Sequence, residues 1–236
     1  MKEDFEIIFK FDKEKDIQNW WGACNSEFMG IDWKQRIPKE VYEKIHKKDY
    51  SHAKIFLSKY LKTLYKKDKK LKMFKEEIPQ YWKIYKEEFI KGIISIIGKE
   101  IYPKKLICYF TSFPRGTKDK ENKWIKPSFL KNKQGKITIK NYFRSIMHEL
   151  LHIQINYYTL LVKLDLSQSQ KTHLNESLTI LINYYFYPKL IDNDWGYEQH
   201  KKLREDLVKY WGKKQDIQNL VKKGERLIKQ KYLELK

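Results

Sequence analysis

The chain has 236 residues, 41% of them hydrophobic, enough for one sizeable globular domain or for two lobes that each bury some core. Fifty Lys and Arg against thirty Asp and Glu give a net charge of +20. The bases are mostly Lys and run from Lys2 to Lys236 amid abundant Ile, Tyr and Asn, a mixture that an AT-rich genome produces without selection for an anionic partner. The charge therefore reads as a solvated basic surface, with nucleic acid the disfavoured partner, since Arg, the planar reader of phosphate and guanine, is scarce. Two cysteines, Cys24 and Cys108, exclude a disulfide framework or a cysteine-based zinc site. The N-terminus carries acids where a signal peptide carries bases, and the longest apolar patch, 93–97, is broken by Ser95 and far too short for a membrane span. A cytoplasmic location is the expectation.

In chain order, Phe5, Ile7, Phe9 and Phe11 alternate with Glu6, Ile8 and Lys10, the period of a half-buried strand. From residue 12 to about 101 the spacing is helical, with breaks expected at Gly30, Pro38 and Pro79 and hence three or four helices. One begins after Pro38. Ile55, Leu57, Leu61 and Leu64 stripe the next, and Trp82, Phe89, Ile93 and Ile97 stripe a longer one. Trp20, Trp21 and Trp33 are read as core aromatics, with the wall of a cleft as the alternative. The middle of the chain turns to β. Residues 106–113 are rich in β-branched and aromatic side chains and end at the turn signal Pro114-Arg115-Gly116. Residues 117–123 read as a charged loop, 124–130 as a strand that Pro127 places at an edge, and 137–139 as a third strand after a hairpin turn at Asn132-Lys133-Gln134-Gly135. Asn141 is then the expected N-cap of a helix reaching about Val162. Thr172 is expected to cap a second helix from His173 to Tyr187, stopped by Pro188. Beyond the turn Asp192-Asn193-Asp194-Trp195-Gly196, two more amphipathic helices are expected at 198–211 and 215–233.

The stretch that carries chemistry is His148-Glu149-Leu150-Leu151-His152, in the middle of its helix. Residues four apart on a helix lie one above the other, so both imidazoles can meet one metal ion, with Glu149 displaced round the helix towards a water on that metal. The competing reading is an amphipathic helix with two incidental histidines. A catalytic zinc takes three protein ligands and keeps one position open. Downstream the candidates are Asp165, His173 and Glu176. Glu176 follows Asn175 in the first turn of the next helix and stands 23 residues beyond His152, room for the first helix to finish, reverse and present a second face. His173 is three residues earlier, on the same face.

His148-Glu149-Leu150-Leu151-His152 followed by Asn175-Glu176 resembles the zincin metallopeptidases, in particular the gluzincin branch, in which a Glu on a following helix completes the site. The likeness covers roughly residues 105–187. It implies that His148, His152 and Glu176 bind Zn2+, that Glu149 is the catalytic general base, and that the chain is a hydrolase cleaving a peptide or protein substrate laid along a sheet edge, here the strand 124–130. The implied fold is α+β and zincin-like: a small, mostly antiparallel sheet, an active-site helix, a helical C-terminal lobe and an N-terminal helical region. Residues 1–104 would be the mainly helical region and 105–236 the catalytic one, the two possible as one continuous domain. Asp165 lacks the Gly-Thr that precedes the ligand in Asp-type zincins, and His173 lies outside metzincin spacing. Thermolysin-like members place an Asp four residues after the ligand Glu, where this chain has Ile180, so the group that orients a metal-bound imidazole has to come from elsewhere. A donor to the tetrahedral oxyanion is sought among Tyr184, Tyr197 and His200. A different class stays open: a basic binding protein for nucleic acid or a protein partner that keeps a zincin-like helix as scaffold.

Overall fold

The computed structural model describes residues 4–25, 36–113, 115–119, 123–129 and 135–232. The breaks expected at Gly30 and Pro114, the core role expected for Trp33 and most of the expected hairpin turn at 132–135 fall outside them. The first strand forms where the alternation points, β1 (Glu6–Lys10), with Ile7 buried. Four helices follow: α1 (Lys13–Asn25), α2 (Lys39–Ile45), α3 (Tyr50–Lys67) and α4 (Lys69–Ile97). Pro79 lies inside α4 without ending it. A proline in a helix costs about 3 kcal/mol. Leu71, Phe74 and Ile78 before it and Trp82, Phe89, Ile93 and Ile97 after it are all buried, each contributing about 1.5–3 kcal/mol, so burial along one continuous face outweighs the missing hydrogen bond.

The expected α+β fold with a mostly antiparallel sheet is overturned: the structure is 65% helical, and three of the four strands among the described residues are parallel. Strand order is β1-β2-β4-β3, where β2 spans Lys105–Tyr109, β3 Thr117–Asp119 and β4 Trp124–Lys126. β1 runs parallel to β2 with Ile7 opposite Leu106, β2 parallel to β4, and β3 antiparallel to β4. Two physical features account for the difference. The helices α1 to α4 form the crossover that parallel neighbours require, which alternation within one strand cannot reveal. The short run at Ile137-Thr138-Ile139, read as a strand, is the entry to a helix, because the Thr138 hydroxyl accepts a hydrogen bond from the Asn141 amide at 3.0 Å and caps it. Thr138, not Asn141, is the N-cap. The charged stretch read as a loop supplies β3, since an edge strand tolerates charge on its open side. Consequently β4 lies inside the sheet, not at its edge.

The C-terminal half is helical: α5 (Ile139–Tyr157), α6 (Gln168–Leu178), α7 (Leu181–Phe186), a 3-10 turn (Glu198–His200), α8 (Lys201–Lys214) and α9 (Ile217–Lys231). α5 ends earlier than expected. Ser167, in a reciprocal capping box with Gln170, starts α6, while the Thr172 hydroxyl donates back to Gln168 inside the helix. The single helix expected to reach Tyr187 is divided because the Glu176 carbonyl is taken by the Thr179 hydroxyl at 2.7 Å and by Arg204 at 3.1 Å, which interrupts the backbone ladder.

The main core, from Phe5 and Ile7 through Phe89, Leu106, Phe143, Met147 and Leu174 to Trp211, lies between sheet, α4, α5 and the C-terminal helices. A second core joins α1, α2 and α3 through Ile17, Trp20, Val41, Ile45 and Leu57, and includes Phe113 after β2. Asp16 ties the second core to the sheet. Fully buried, its carboxylate accepts from the Ser112 amide at 2.9 Å, the Ser112 hydroxyl at 2.6 Å, the Tyr65 hydroxyl at 2.8 Å and the Thr111 hydroxyl at 3.1 Å. Among the described residues no helix is long and apolar enough to cross a membrane. Asp16→Ala strands these donors and is expected to lower unfolding free energy by about 3 kcal/mol or more. Urea denaturation measures this, and a loss below ~0.5 kcal/mol would contradict the role assigned to Asp16.

Candidate metal centre

α5 buries Phe143, Ile146, Met147, Leu150 and Leu151 against the main core, and this fixes the rotation that sets His148 and His152 one turn apart on a neighbouring face. α6 approaches that face, held by Leu174 and Leu178 in the same core, and presents Glu176. The three side chains converge, with candidate ligand atoms all within 4.8 Å of one another. Nε2 of His148 and Nε2 of His152 are 3.0 Å apart. Glu176 places Oε1 3.2 Å from His152 Nε2 and Oε2 3.4 Å from His148 Nε2. His152 is 1% exposed and Glu176 9%, so the cluster is largely withdrawn from water.

The outer nitrogens decide what the inner ones can do. His148 Nδ1 lies 3.2 Å from Asp194 Oδ2, and since a carboxylate only accepts, that nitrogen carries the proton and donates. His152 Nδ1 lies 3.0 Å from Asn175 Oδ1 and donates likewise. Both neutral rings then aim a bare Nε2 lone pair at the same point as the Glu176 carboxylate. Three electron-rich groups at 3.0 to 3.4 Å repel unless a cation or extra protons sit among them. Ligand arms of about 2.0–2.1 Å at tetrahedral angles give edges of roughly 3.3 Å, so two imidazoles and a carboxylate at these separations fit zinc.

Asp194 is itself 1% exposed and tightly held. Arg144 stands 3.4 Å from Oδ1 and Arg204 3.2 Å from Oδ2; Arg204 also binds the Asp194 carbonyl, and the Asp194 amide donates to Asn183 Oδ1 at 2.8 Å. Burial would raise its pKa, but His148, Arg204 and Arg144 hold it well below the usual carboxylate range. Burial likewise works against Glu176 and is outweighed by His148 and His152, which hold it far below its ordinary value. For His148 burial works against the charged ring, and Asp194 and Glu176 override it, pushing the pKa up to about 9 in the metal-free centre. The orienting group missing at Ile180 is thus supplied by Asp194 from the α7–α8 connection and by Asn175. Sequence reasoning placed Asp194 only in a turn and Asn175 only beside Glu176. An Asn directly before a ligand Glu is a local signal for the second; nothing local signals the first.

Glu149 follows His148 on α5 and is half-buried. Gly116, at the entry to β3, faces it closely: a Cβ there would stand 3.5 Å from Glu149 Oε1 and 3.6 Å from the Lys126 carbonyl. Tyr197 is drawn to the centre. Its hydroxyl pKa is pushed up by burial and then by Glu176, Glu149 and Asp194, so the phenol lies in the field of all three carboxylates. The other candidates lie elsewhere or are otherwise engaged. Asp165 is exposed and paired with Lys229 at 2.6 Å, and the exposed Tyr184 accepts from Gln215 at 3.2 Å. His173 and His200 bond to each other at 2.8 Å beside the cluster. Compared with known proteins, the chain matches no family model, no curated protein and no solved structure.

In the metal-free protein, the raised His148 pKa makes this ring's contribution to stability complete below its ordinary value of 6.5 and lost as pH rises through about 9. A zinc ion taken up at this cluster would have to displace that proton. Calorimetry near neutral pH in buffers of different ionisation enthalpy is expected to read about one proton released per zinc, falling away as pH rises past about 9. Asp194→Asn is expected to weaken zinc binding about 10–100-fold in a chelator competition, and an unchanged affinity would count against its orienting role.

Proposed function

We propose that the protein is a zinc-dependent metallopeptidase of gluzincin type, a hydrolase of peptide or protein substrates with His148, His152 and Glu176 as metal ligands. The observation that carries this reading is the commitment of both outer ring nitrogens, which leaves two imidazole lone pairs and a carboxylate aimed at one point beside Glu149. Zinc, when bound, supplies a Lewis acid that lowers the pKa of a water from about 15.7 towards 7 and polarises the scissile carbonyl. Glu149 takes the proton of the attacking water and returns it to the leaving amine nitrogen. Tyr197, whose hydroxyl has no protein partner among the described residues, donates to the oxyanion.

The substrate edge is β3 and not the strand at 124–130, because β4 is interior and β3 is paired on one side only among the described residues. Gly116, at the entry to β3, lies beside Glu149, and an extended peptide added to β3 is placed with its backbone at the base. Buried free thiols at Cys24 and Cys108, both pushed up to about 12 by burial, are inert and support placing the protein in the reducing cytoplasm.

Glu149→Gln is expected to keep one zinc per chain and lose hydrolysis by about 10²-fold or more. His148→Ala loses the metal as well. Tyr197→Phe keeps zinc and KM while kcat falls about 10²-fold. Metal analysis and cleavage of a quenched-fluorescent peptide library read all three, and an active Glu149→Gln protein sinks the mechanism.

A further inference from the structure

Lys126, the last residue of β4, is 4% exposed, yet its ammonium has no carboxylate partner among the described residues. It donates to the Lys15 carbonyl on α1 at 3.3 Å, so three N–H donors share one protein acceptor. A lysine is almost never buried without a pairing partner. The neighbours add to the cost: burial lowers the Lys126 pKa to about 8, Lys15 and Arg115 push the same way, and Asp16 and Asp12 oppose them. Neither acid is free to bind the ammonium. Asp16 is saturated by Ser112, Tyr65 and Thr111, and Asp12 accepts from the Glu14 and Lys15 amides at 2.9 and 3.2 Å.

Two more cations and a hydroxyl gather at the same place. Lys15 Nζ lies 4.7 Å and Lys126 Nζ 5.1 Å from the centre of the Trp124 ring. Arg115 reaches in from the segment before β3. Asn19 on α1 holds its carbonyl at 3.0 Å, and a Cβ on Gly22 of the same helix would stand 2.8 Å from its Nη1. That guanidinium is half-buried and makes no hydrogen bond or ion pair among the described residues; burial alone lowers its pKa, with no carboxylate opposing. Thr117 is the direct partner of Lys126 in the β3–β4 ladder, so the two side chains share a face of the sheet, and the Thr117 hydroxyl is buried without a partner. Parallel sheets bind ligands at the carboxyl ends of their strands, where Lys126 stands beside β2.

Three cations and an unused hydroxyl suit an anion of high charge with several acceptor oxygens. A carboxylate brings a single charge, whereas a phosphate group carries about −1.5 to −2 near neutral pH and three or more acceptors, one edge of which fits the fork of an arginine. We propose that Lys15, Arg115, Thr117 and Lys126 form a binding site for a phosphate group, either free phosphate or a phosphomonoester. Ile125 points into the main core with Phe143 and Met147, so Lys126, next along the strand, faces the other side of the sheet from α5. The site is therefore separate from the metal centre and does not depend on the peptidase reading.

Calorimetric titration of the full chain at pH 7 and low salt, with and without one equivalent of zinc, tests the assignment using inorganic phosphate and phenyl phosphate as probes. One phosphate per chain is expected, with the same affinity in both metal states. Lys126→Met, which keeps the length of the stem, and Arg115→Gln are each expected to weaken binding about tenfold or more. Lys213→Met, at an exposed position on α8, is expected to change nothing. Phenyl phosphate binding more tightly than phosphate identifies a phosphomonoester whose organic part lies on the Trp124 and Tyr109 rings; binding no tighter identifies free phosphate. Wild-type protein that binds neither probe, binding that requires zinc, or an affinity that Lys213→Met lowers as much as Arg115→Gln does overturns the site. If Lys126→Met fails to fold, an undiminished affinity in Arg115→Gln still overturns it.

Discussion

The buried ion pair between Asp194 and Arg204 holds the centre together. Both side chains are almost fully withdrawn from solvent, Asp194 at 1% and Arg204 at 2%. Desolvating two charges is costly, and the cost is recovered only where every remaining valence is used. Here nearly all are. The Arg204 guanidinium also holds the Glu176 carbonyl, the Thr179 hydroxyl at 2.9 Å and the Asp194 carbonyl, while the carboxylate adds Arg144 and His148. One guanidinium on α8 therefore fixes both the end of the helix that bears Glu176 and the carboxylate that orients His148. Gly196 makes the approach possible, since its φ is +65° and a Cβ there would lie 2.6 Å from an Arg204 nitrogen. Removing Asp194 would leave Arg204 as an uncompensated buried charge, while Asp194 keeps Arg144 and His148 if Arg204 is lost, so the stability of the C-terminal helices and the geometry of the candidate centre are coupled through this pair.

The architecture around that pair separates rigid support from access. α5 is clamped between the sheet and α4 by Phe143, Met147 and Leu151, which fixes the two histidines on one side of the chain's main core. Glu149 lies beside Gly116 at the entry of β3, and Tyr197, in the loop before α8, lies in the field of Glu176, Glu149 and Asp194. The proposed ligands thus come from packed helices, and the groups proposed to meet substrate come from a strand edge and a loop. That division suits the proposed site, which would keep its metal geometry while admitting an extended peptide.

What could be read from the sequence was whatever is local. His148 and His152 needed only helical spacing, and Glu176 only a second helix at a plausible distance. β1 was legible because alternation is a property of the strand alone. Its partner was not, since parallel pairing with β2 across four helices leaves no mark in either strand. Pro79 was read as a break because the local cost of proline is fixed, while the burial that offsets it is shared along all of α4. Asp194 stands 46 residues from His148, on a turn whose composition only says turn. Thr138 was hidden for a related reason: Ile137-Thr138-Ile139 suits a strand and a capped helix entry equally, and only the structure shows the hydroxyl bonded to the Asn141 amide.

Two imidazoles and one carboxylate of this chain are proposed to hold a single zinc ion. X-ray absorption at the zinc edge of the full chain, loaded with one equivalent of metal, tests it most directly. The expected result is stoichiometric zinc with two imidazole nitrogens at about 2.0–2.1 Å and oxygen ligands completing a four-coordinate shell. That signature should lose one imidazole or disappear in His148→Ala. A protein that takes up no zinc, or a zinc shell unchanged by loss of His148, would contradict it.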